Sequence, residues 1–309
     1  MRIFLAGASG AIGRSLIGAL IRRGHEVTGT TRTSDKADLL AGLGARPVIL
    51  DALDRDAVIK AVIDARPDVL IHQLTAIAEI NFRNVDASFA STNRLRTEGT
   101  DNLLAAAQLA GVPRVVAQSY TGWPNQRSGG PVKTERDPLD PRALPGTEHT
   151  LAAIRHVEST VEAAGGVVLR YGSFYGPGNA LGKGGEMLEL VRKRRFPLVG
   201  GGTAIWSFIH IDDAAEATAI AAEGGPAGVF NIVDDEPAPV HVWLPYLATA
   251  VGAKPPLRMP AWLVRPMLGE VGVAAMTSIR GSSNAKARRE LGWEPSYASW
   301  RVGFRTGLG

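Results

Sequence analysis

The 309-residue sequence predicts an α/β fold, a doubly wound parallel sheet with a smaller carboxyl-terminal lobe. Short apolar runs alternate with amphipathic helical stretches over the first half, the pattern of a parallel sheet covered on both faces. A glycine-rich run, Gly7-Ala8-Ser9-Gly10-Ala11-Ile12-Gly13, lies between the first strand and the first helix. Beyond Tyr175 the texture changes: Gly176-Pro177-Gly178 and Lys183-Gly184-Gly185 interrupt the chain, and a Pro- and Trp-containing region fills Pro237 to Trp300.

Taken in order, Met1 to Ala6 reads as a strand and Ser15 to Ile21 as an apolar-periodic helix. An apolar run at Glu26 to Thr31, a helix at about Lys36 to Leu43 and a strand at Arg46 to Leu50 follow. Ala57 to Ala65 reads as helix and Asp68 to His72 as strand. Ser88 to Ala110 reads as one long amphipathic helix, and Arg114 to Gln118 as a further strand. Leu151 to Ala164 reads as a helix leading into a strand at Val167 to Arg170. The expected organisation is a nucleotide-binding domain at residues 1–175 and a smaller substrate-binding lobe at 176–309. Within the lobe, Ile205 to Ile209 and Val229 to Val233 are apolar runs free to rejoin the main sheet or to pair with each other. Ligands on such sheets bind at the carboxyl ends of the strands, so the loops after Ala6, Thr31, Leu50, His72, Gln118 and Arg170 are expected to line the site.

The glycine run suits a tight strand-to-helix turn that lets the backbone approach a pyrophosphate, while the helix N-terminus offers unpaired N–H groups to the anion. An acidic residue at the end of the second strand would bond the ribose hydroxyls of NAD, whereas a basic one favours a 2′-phosphate. Here the strand end reads Thr30-Thr31-Arg32-Thr33-Ser34, with no carboxylate. Arg32 can grip a phosphate with two prongs and Thr33 and Ser34 can add hydroxyl donors, so the expected cofactor is NADP(H) rather than NAD(H).

The 34 basic and 30 acidic residues leave a net charge of +4 without a long run of one sign, which argues against a nucleic-acid partner. The absence of cysteine excludes disulfides and thiolate metal sites. The six histidines show no compact ligand spacing with carboxylates, so no metal centre is expected. No stretch approaches a membrane span and no leader precedes the first strand, which gives an expectation of a cytoplasmic protein without a membrane partner.

Several ordered segments resemble the extended short-chain dehydrogenase/reductase family, the group of NAD(P)-dependent epimerases, dehydratases and ketoreductases with a Rossmann-type sheet. Besides the glycine run they include Asp51-Ala52, Leu74-Thr75-Ala76, Asn93 to Leu104, Val112 to Val116 and Leu169 to Gly178. Phe208 to Ala215, Phe230 to Pro237 and Leu291 to Pro295 continue the resemblance. It implies that Gly7, Ser9, Gly10, Ala11, Ile12 and Gly13 hold the pyrophosphate and that Asp51 accepts from the adenine amino group beside Ala52. Leu74, Thr75 and Ala76 would border the ribose and pyrophosphate, and the segment carrying Tyr171 and Phe174 would face the nicotinamide. The alternative for Asp51 is a cap on the helix starting near Asp54, and Asp212 or Asp213 reads as the N-cap of a helix at Ala214 to Ala222. The resemblance also implies a homodimer through the Ser88–Ala110 and Leu151–Ala164 helices.

The family's proton donor is a tyrosine followed four residues later by lysine, whose ammonium lowers the phenol pKa. This chain has no such pair. Counting back from Glu158, the tyrosine position falls on Thr150 and the lysine position on Ile154. The loop after the fifth strand, where the family presents a substrate-binding hydroxyl, carries Ser119 and Tyr120. Tyr120, Ser119 and, more weakly, His149 are the candidate catalytic residues; Tyr171 and Tyr175 could also reach the pocket, and Asn93 is either a water-organising or a solvent-facing residue.

Trp206, Trp243, Tyr246, Met259, Trp262 and Met267 enrich the second lobe in large apolar groups, which hints at an apolar substrate; Arg192 to Arg195 read as a solvated basic stretch. The expected function is an NADP(H)-dependent reductase of a small apolar carbonyl or enone. The alternatives are a redox-neutral isomerase, epimerase, cyclase or lyase that keeps its nucleotide, and a non-catalytic NADP sensor.

Overall fold

The structure, a computed structural model, describes residues 1–77 and 81–309. Seven parallel strands form the central sheet in the order β12-β7-β5-β4-β1-β2-β3. They are β1 (Arg2–Ala6), β2 (Glu26–Thr31), β3 (Arg46–Ile49), β4 (Val69–His72), β5 (Arg114–Tyr120), β7 (Val167–Tyr171) and β12 (Gly228–Ile232). β4 and β7 are buried at every position, as strands covered by helices on both faces must be. Sequence order reverses between β1 and β4, which makes the gap between their carboxyl ends the topological switch point.

Helices α1 (Ala11–Arg22), α2 (Ser34–Gly42) and α3 (Arg55–Ala65) follow the first three strands close to where periodicity placed them. One face of the sheet packs on α1 and α9 (Ile211–Glu223) through Leu16, Ile17, Leu20, Ala214 and Ala217. The other packs on α3 and α6 (Thr100–Leu109) through Val58, Val62, Leu103 and Ala106. α7 (Glu148–Ala163) covers the same sheet with Val157 and Val161 against Val168 and Val229.

The single helix expected at Ser88 to Ala110 is instead a chain of pieces: α4 (Val85–Ser88), α5 (Ala90–Arg94), a π-helical turn at Leu95–Gly99, then α6. Phe89 breaks the first junction with φ −100° and ψ 5°. In the wider turn, side-chain hydroxyls compete for backbone carbonyls: Thr97 donates to Asn93 and Thr100 to Arg96, at 3.0 and 2.8 Å.

β12 rejoins the main sheet beside β7, while β11 (Phe208–His210) pairs with β8 (Ser173–Tyr175), so the two apolar runs of the second half do not pair with each other. β10 (Ile205–Trp206) pairs with β13 (Ala238–Pro239), β9 (Leu198–Val199) with β14 (Arg258–Met259), and β15 (Gly281–Ser282) with β6 (Val132–Lys133). A second core gathers Tyr175, Phe208, Trp243, Trp300 and Phe304 with α8 (Glu186–Arg192), α10 (Val240–Ala250), α11 (Ala261–Thr277) and α13 (Trp300–Thr306). α12 (Ala285–Leu291) joins the first core through Ala287 and lies against β12.

The expected caps on α9 are absent. His210 is its N-cap, its ring accepting from the Asp212 N–H, whereas buried Asp213 accepts the N–H groups of Ser296 and Tyr297 at 2.8 and 2.9 Å and clamps the carboxyl-terminal segment. A carboxylate can serve two distant N–H groups only after the chain returns to it, which no local pattern announces.

His72, at the end of β4, is 2 % exposed. Its Nδ1 accepts the Leu74 N–H, so Nε2 carries the proton and donates to Thr100 Oγ1 at 3.1 Å. Burial, helped by the nearby Arg96 charge, lowers its pKa from 6.5 to about 4. The unfolded state therefore binds the extra proton between those values: the stability is complete above pH 6.5 and is lost as pH falls toward 4. By the size of the shift, urea denaturation is expected to register a loss of about 3 kcal/mol across that window, which a His72→Gln variant flattens.

Candidate active site

At the switch point a cleft of about 390 Å³ opens at the carboxyl ends of β1 to β4. Gly7, Ser9 and Gly10 line it from the first turn, Thr31 to Thr33 from the second, Leu50 to Ala52 from the third and Gln73 to Thr75 from the fourth. Gly7 has φ +89°, and a Cβ there would stand 2.5 Å from the Gln73 carbonyl oxygen, so the two loops meet backbone to backbone. At Gly13 a Cβ would stand 2.5 Å from the carbonyl oxygens of Ala8 and Gly7, which lets α1 start directly over the turn. Gly10 is the extended N-cap of α1 and no side chain caps the helix, so its first N–H groups are left for a ligand.

Other elements hold the rim. Asn102 of α6 donates to the Ala52 carbonyl at 3.0 Å, Gln118 of β5 to the Leu74 carbonyl at 2.9 Å, and the Ala76 N–H to Thr92 Oγ1 at 3.0 Å. Asp51 lines the cleft, accepts the Leu53 N–H at 3.0 Å and leaves the capping of α3 to Asp54. Thr31 Oγ1 and Gln73 Oε1 are buried without a hydrogen-bond partner among the described residues, and both residues face the cleft. A bare helix N-terminus, a glycine turn and two unspent acceptors fit an anionic, hydroxyl-rich dinucleotide.

Arg32 sits on the rim, and beside it stands Lys36, which sequence reading missed. Lys36 lies in the first turn of α2, where the helix dipole disfavours a cation; that misplacement was the available signal.

Tyr120 ends β5 opposite Tyr171 in the register, half-buried, with its hydroxyl 3.4 Å from Ser173 Oγ. Burial raises its phenol pKa and the Ser173 contact offsets part of the rise. Ser119 is buried and donates to Glu158 Oε1 at 2.6 Å. Glu158 is gripped from the other side by Arg170, through Nε at 2.8 Å and Nη2 at 2.6 Å. Arg96 is buried nearby, its Nη1 without a partner among the described residues.

Position 150 is fully buried. The Thr150 hydroxyl donates to Asp86 Oδ1 at 2.6 Å and accepts from Asn93 Nδ2 at 3.0 Å, which places Asn93 inside the protein rather than toward solvent. Asp86 also accepts the N–H groups of His149 and Thr150 at 3.0 and 2.7 Å, capping α7 from a different helix. Burial alone would raise its carboxyl, but these three donors hold it below its usual value. Nothing local in the sequence marked Asp86. Ile154 is 0 % exposed.

His149 is exposed at the start of α7. Tyr171 is buried, its hydroxyl accepting from Gln73 Nε2 at 2.8 Å and meeting Thr218 Oγ1 at 2.7 Å. Phe174 is half-buried with its ring 5.3 Å from that of Tyr171. Tyr175 does not reach the pocket: it is 0 % exposed among Phe208, His210, Tyr297 and Phe304. Among the described residues, no group of three His, Asp or Glu is placed to hold a metal ion.

The profile of the NAD dependent epimerase/dehydratase family matches residues 3–232. Over 307 residues the chain is 43% identical to a 3-diazoavenalumate denitrifying reductase of a Streptomyces species, covering 98% of this chain and 99% of that one. It is 33% identical over 262 residues to a 4-hydroxy-2-methyl-3-oxo-4-farnesyl-3,4-dihydroquinoline-1-oxide ketoreductase of Stigmatella aurantiaca, covering 82% of this chain and 74% of the other. The UDP-glucose 4-epimerase of Thermotoga maritima, solved with UDP-glucose, has the same fold, with a TM-score of 0.77 at 22% identity over 100% of this chain and 97% of that one.

The Glu158→Gln variant leaves Arg170 and Arg96 buried without a carboxylate. Urea denaturation is expected to show a loss of about 3–5 kcal/mol, the cost of breaking a buried pair from one side.

Proposed function

From the chain's membership of the NAD-dependent epimerase/dehydratase family, within the extended short-chain dehydrogenase/reductases, we propose an NADPH-dependent reductase whose acceptor is a small diazo compound. One observation carries this reading beyond the resemblance to the diazo-reducing relative: α7 offers neither a phenol nor an ammonium. Thr150 spends its hydroxyl hydrogen on Asp86, and Ile154 is an apolar side chain in the core. A site so built is poorly equipped to protonate the alkoxide that ketone reduction creates.

When bound, the dinucleotide supplies a hydride. A diazo compound R2C=N2 that takes up this hydride and one proton, both on the diazo carbon, would become R2CH2: two C–H bonds replace the bonds to nitrogen and neutral dinitrogen leaves, so no oxyanion awaits an acid. The residues' task is then to bind and orient. The open N-terminus of α1 would hold the pyrophosphate, Arg32 and Lys36 the 2′-phosphate, and Asp51 the adenine. Tyr120 would border the acceptor and, with water, supply the proton.

Arg32→Ala and Lys36→Ala are each expected to weaken NADPH binding by about 10- to 100-fold, the loss of a charged hydrogen bond, and to leave NADH binding nearly unchanged. Fluorescence titration with both nucleotides measures it, and equal losses for the two would remove the 2′-phosphate assignment.

The half-buried Tyr120 phenol beside Ser173 favours a second reading, reduction of a ketone with Tyr120 as the acid. Turnover separates the two. Loss of NADPH matched by dinitrogen release, persisting in Tyr120→Phe, is expected for a diazo acceptor. Ketone turnover that falls by about a hundredfold or more in Tyr120→Phe would transfer the assignment to the second reading. Product formed without net NADPH loss would sink both.

A further inference from the structure

The basic stretch Arg192 to Arg195 and the large apolar groups of α11 play no part in the cleft, and the fold brings them together. Arg192, Lys193, Arg194 and Arg195 are all exposed at the end of α8. Arg194 takes a left-handed conformation, φ 59°, and its Nε donates to the Pro255 carbonyl at 2.8 Å. That bond lays the basic stretch along the segment bearing Lys254 and Arg258. β9 then pairs with β14, and α11, carrying Arg265, starts immediately after it. Residues 192–200 and 254–270 hold seven basic side chains and one acidic, a net of +6 on a chain whose total is +4, so the remainder is net negative. Among the described residues, only Arg192 and Arg265 of these are ion-paired, to Glu189 and Glu270.

On α11, which packs against β9 just after the basic stretch, Trp262 is 73 % exposed and Met267 69 %, the two most exposed large apolar side chains among the described residues; Leu257 and Leu263 are each 46 % exposed. Helical geometry places Trp262, Leu263, Pro266 and Met267 within an arc of about 140° on the first turns of α11. Apolar side chains this exposed protrude into water at a cost unless something covers them.

We propose that this surface docks the protein on an anionic lipid bilayer, with Trp262, Leu263 and Met267 entering the interface and the surrounding arginines and lysines resting on the headgroups. Concentrated positive charge calls for dense negative charge, which fits such a membrane. The apolar side chains stand out from a helix rather than lining a groove, so their partner needs no matching pocket; an acidic protein would need one. Among the described residues no helix is long and apolar enough to cross a membrane, and docking on its surface requires none. The expectation of no membrane partner rested on that missing span.

The test is co-sedimentation of the full chain with vesicles of phosphatidylcholine alone or mixed with phosphatidylglycerol, at low and high sodium chloride. Binding about tenfold or more stronger to the anionic vesicles, and lost at high salt, is expected. Tryptophan emission should shift to the blue on binding, and Trp262→Phe should abolish the shift while retaining binding. The pairs Trp262→Glu/Met267→Glu and Lys193→Glu/Arg195→Glu should each reduce binding about tenfold, with melting by circular dichroism establishing that they fold. Absence of binding to anionic vesicles at low salt overturns the proposal, as does undiminished binding by both folded pairs. Retention on immobilised polyglutamate without vesicle binding also overturns it and assigns the surface to an acidic partner.

Discussion

Where β1 and β4 end side by side, the turns that follow them touch backbone to backbone, and position 7 has no room for a side chain. The cleft depends on this approach. It lets the chain double back into α1 above the sheet with the helix N–H groups facing open space, and it brings Gln73 and Thr31, each with an unspent oxygen, to the two sides of one opening. The remaining rim is secured from outside, by Asn102 on the Ala52 carbonyl and Gln118 on the Leu74 carbonyl. A site held by main-chain contacts and by the Asn102 and Gln118 amides is pre-formed, so ordering of its loops takes little from binding.

Beneath the other half of the sheet the constraint is electrostatic. Glu158 lies buried between Arg170 and the Ser119 hydroxyl, with Arg96 close by. Removing such charges from water is costly, and the bidentate contact to Arg170 is what offsets it. The same contact commits Ser119 to a structural bond. Asp86 does the equivalent for Thr150, tying α4 to the start of α7. The polar groups nearest Thr150 and Ile154 therefore hold elements together, which leaves Tyr120 as the least committed hydroxyl at the carboxyl end of β5.

Much of the architecture was legible in the sequence because it rests on local periodicity and turn chemistry. β2 spans Glu26–Thr31 as read, α1 and α3 differ from expectation mainly by their first turns, and the loops after the first four strands line the cleft as their order predicts. Legibility failed where a helix's own hydroxyls interrupt it and where a residue's partner lies far along the chain. The helix expected over Ser88 to Ala110 is split at Phe89 and widened at Leu95, because Thr97 and Thr100 spend their hydroxyls on its carbonyls. Asp213 serves residues 83 and 84 positions away rather than its own helix.

The sequence by itself determined that the chain builds a doubly wound sheet with a glycine-rich turn after its first strand, and that none of its tyrosines is followed four residues later by lysine. Hydrophobic period and glycine placement act over a few residues and are written in order. Tertiary structure alone decided that Lys36 joins Arg32 on the rim, that Asp86 occupies Thr150, and that Arg194 meets the Pro255 carbonyl. Each of these is a meeting of groups from separate elements, and such a meeting depends on how the helices pack rather than on what any one segment prefers to be.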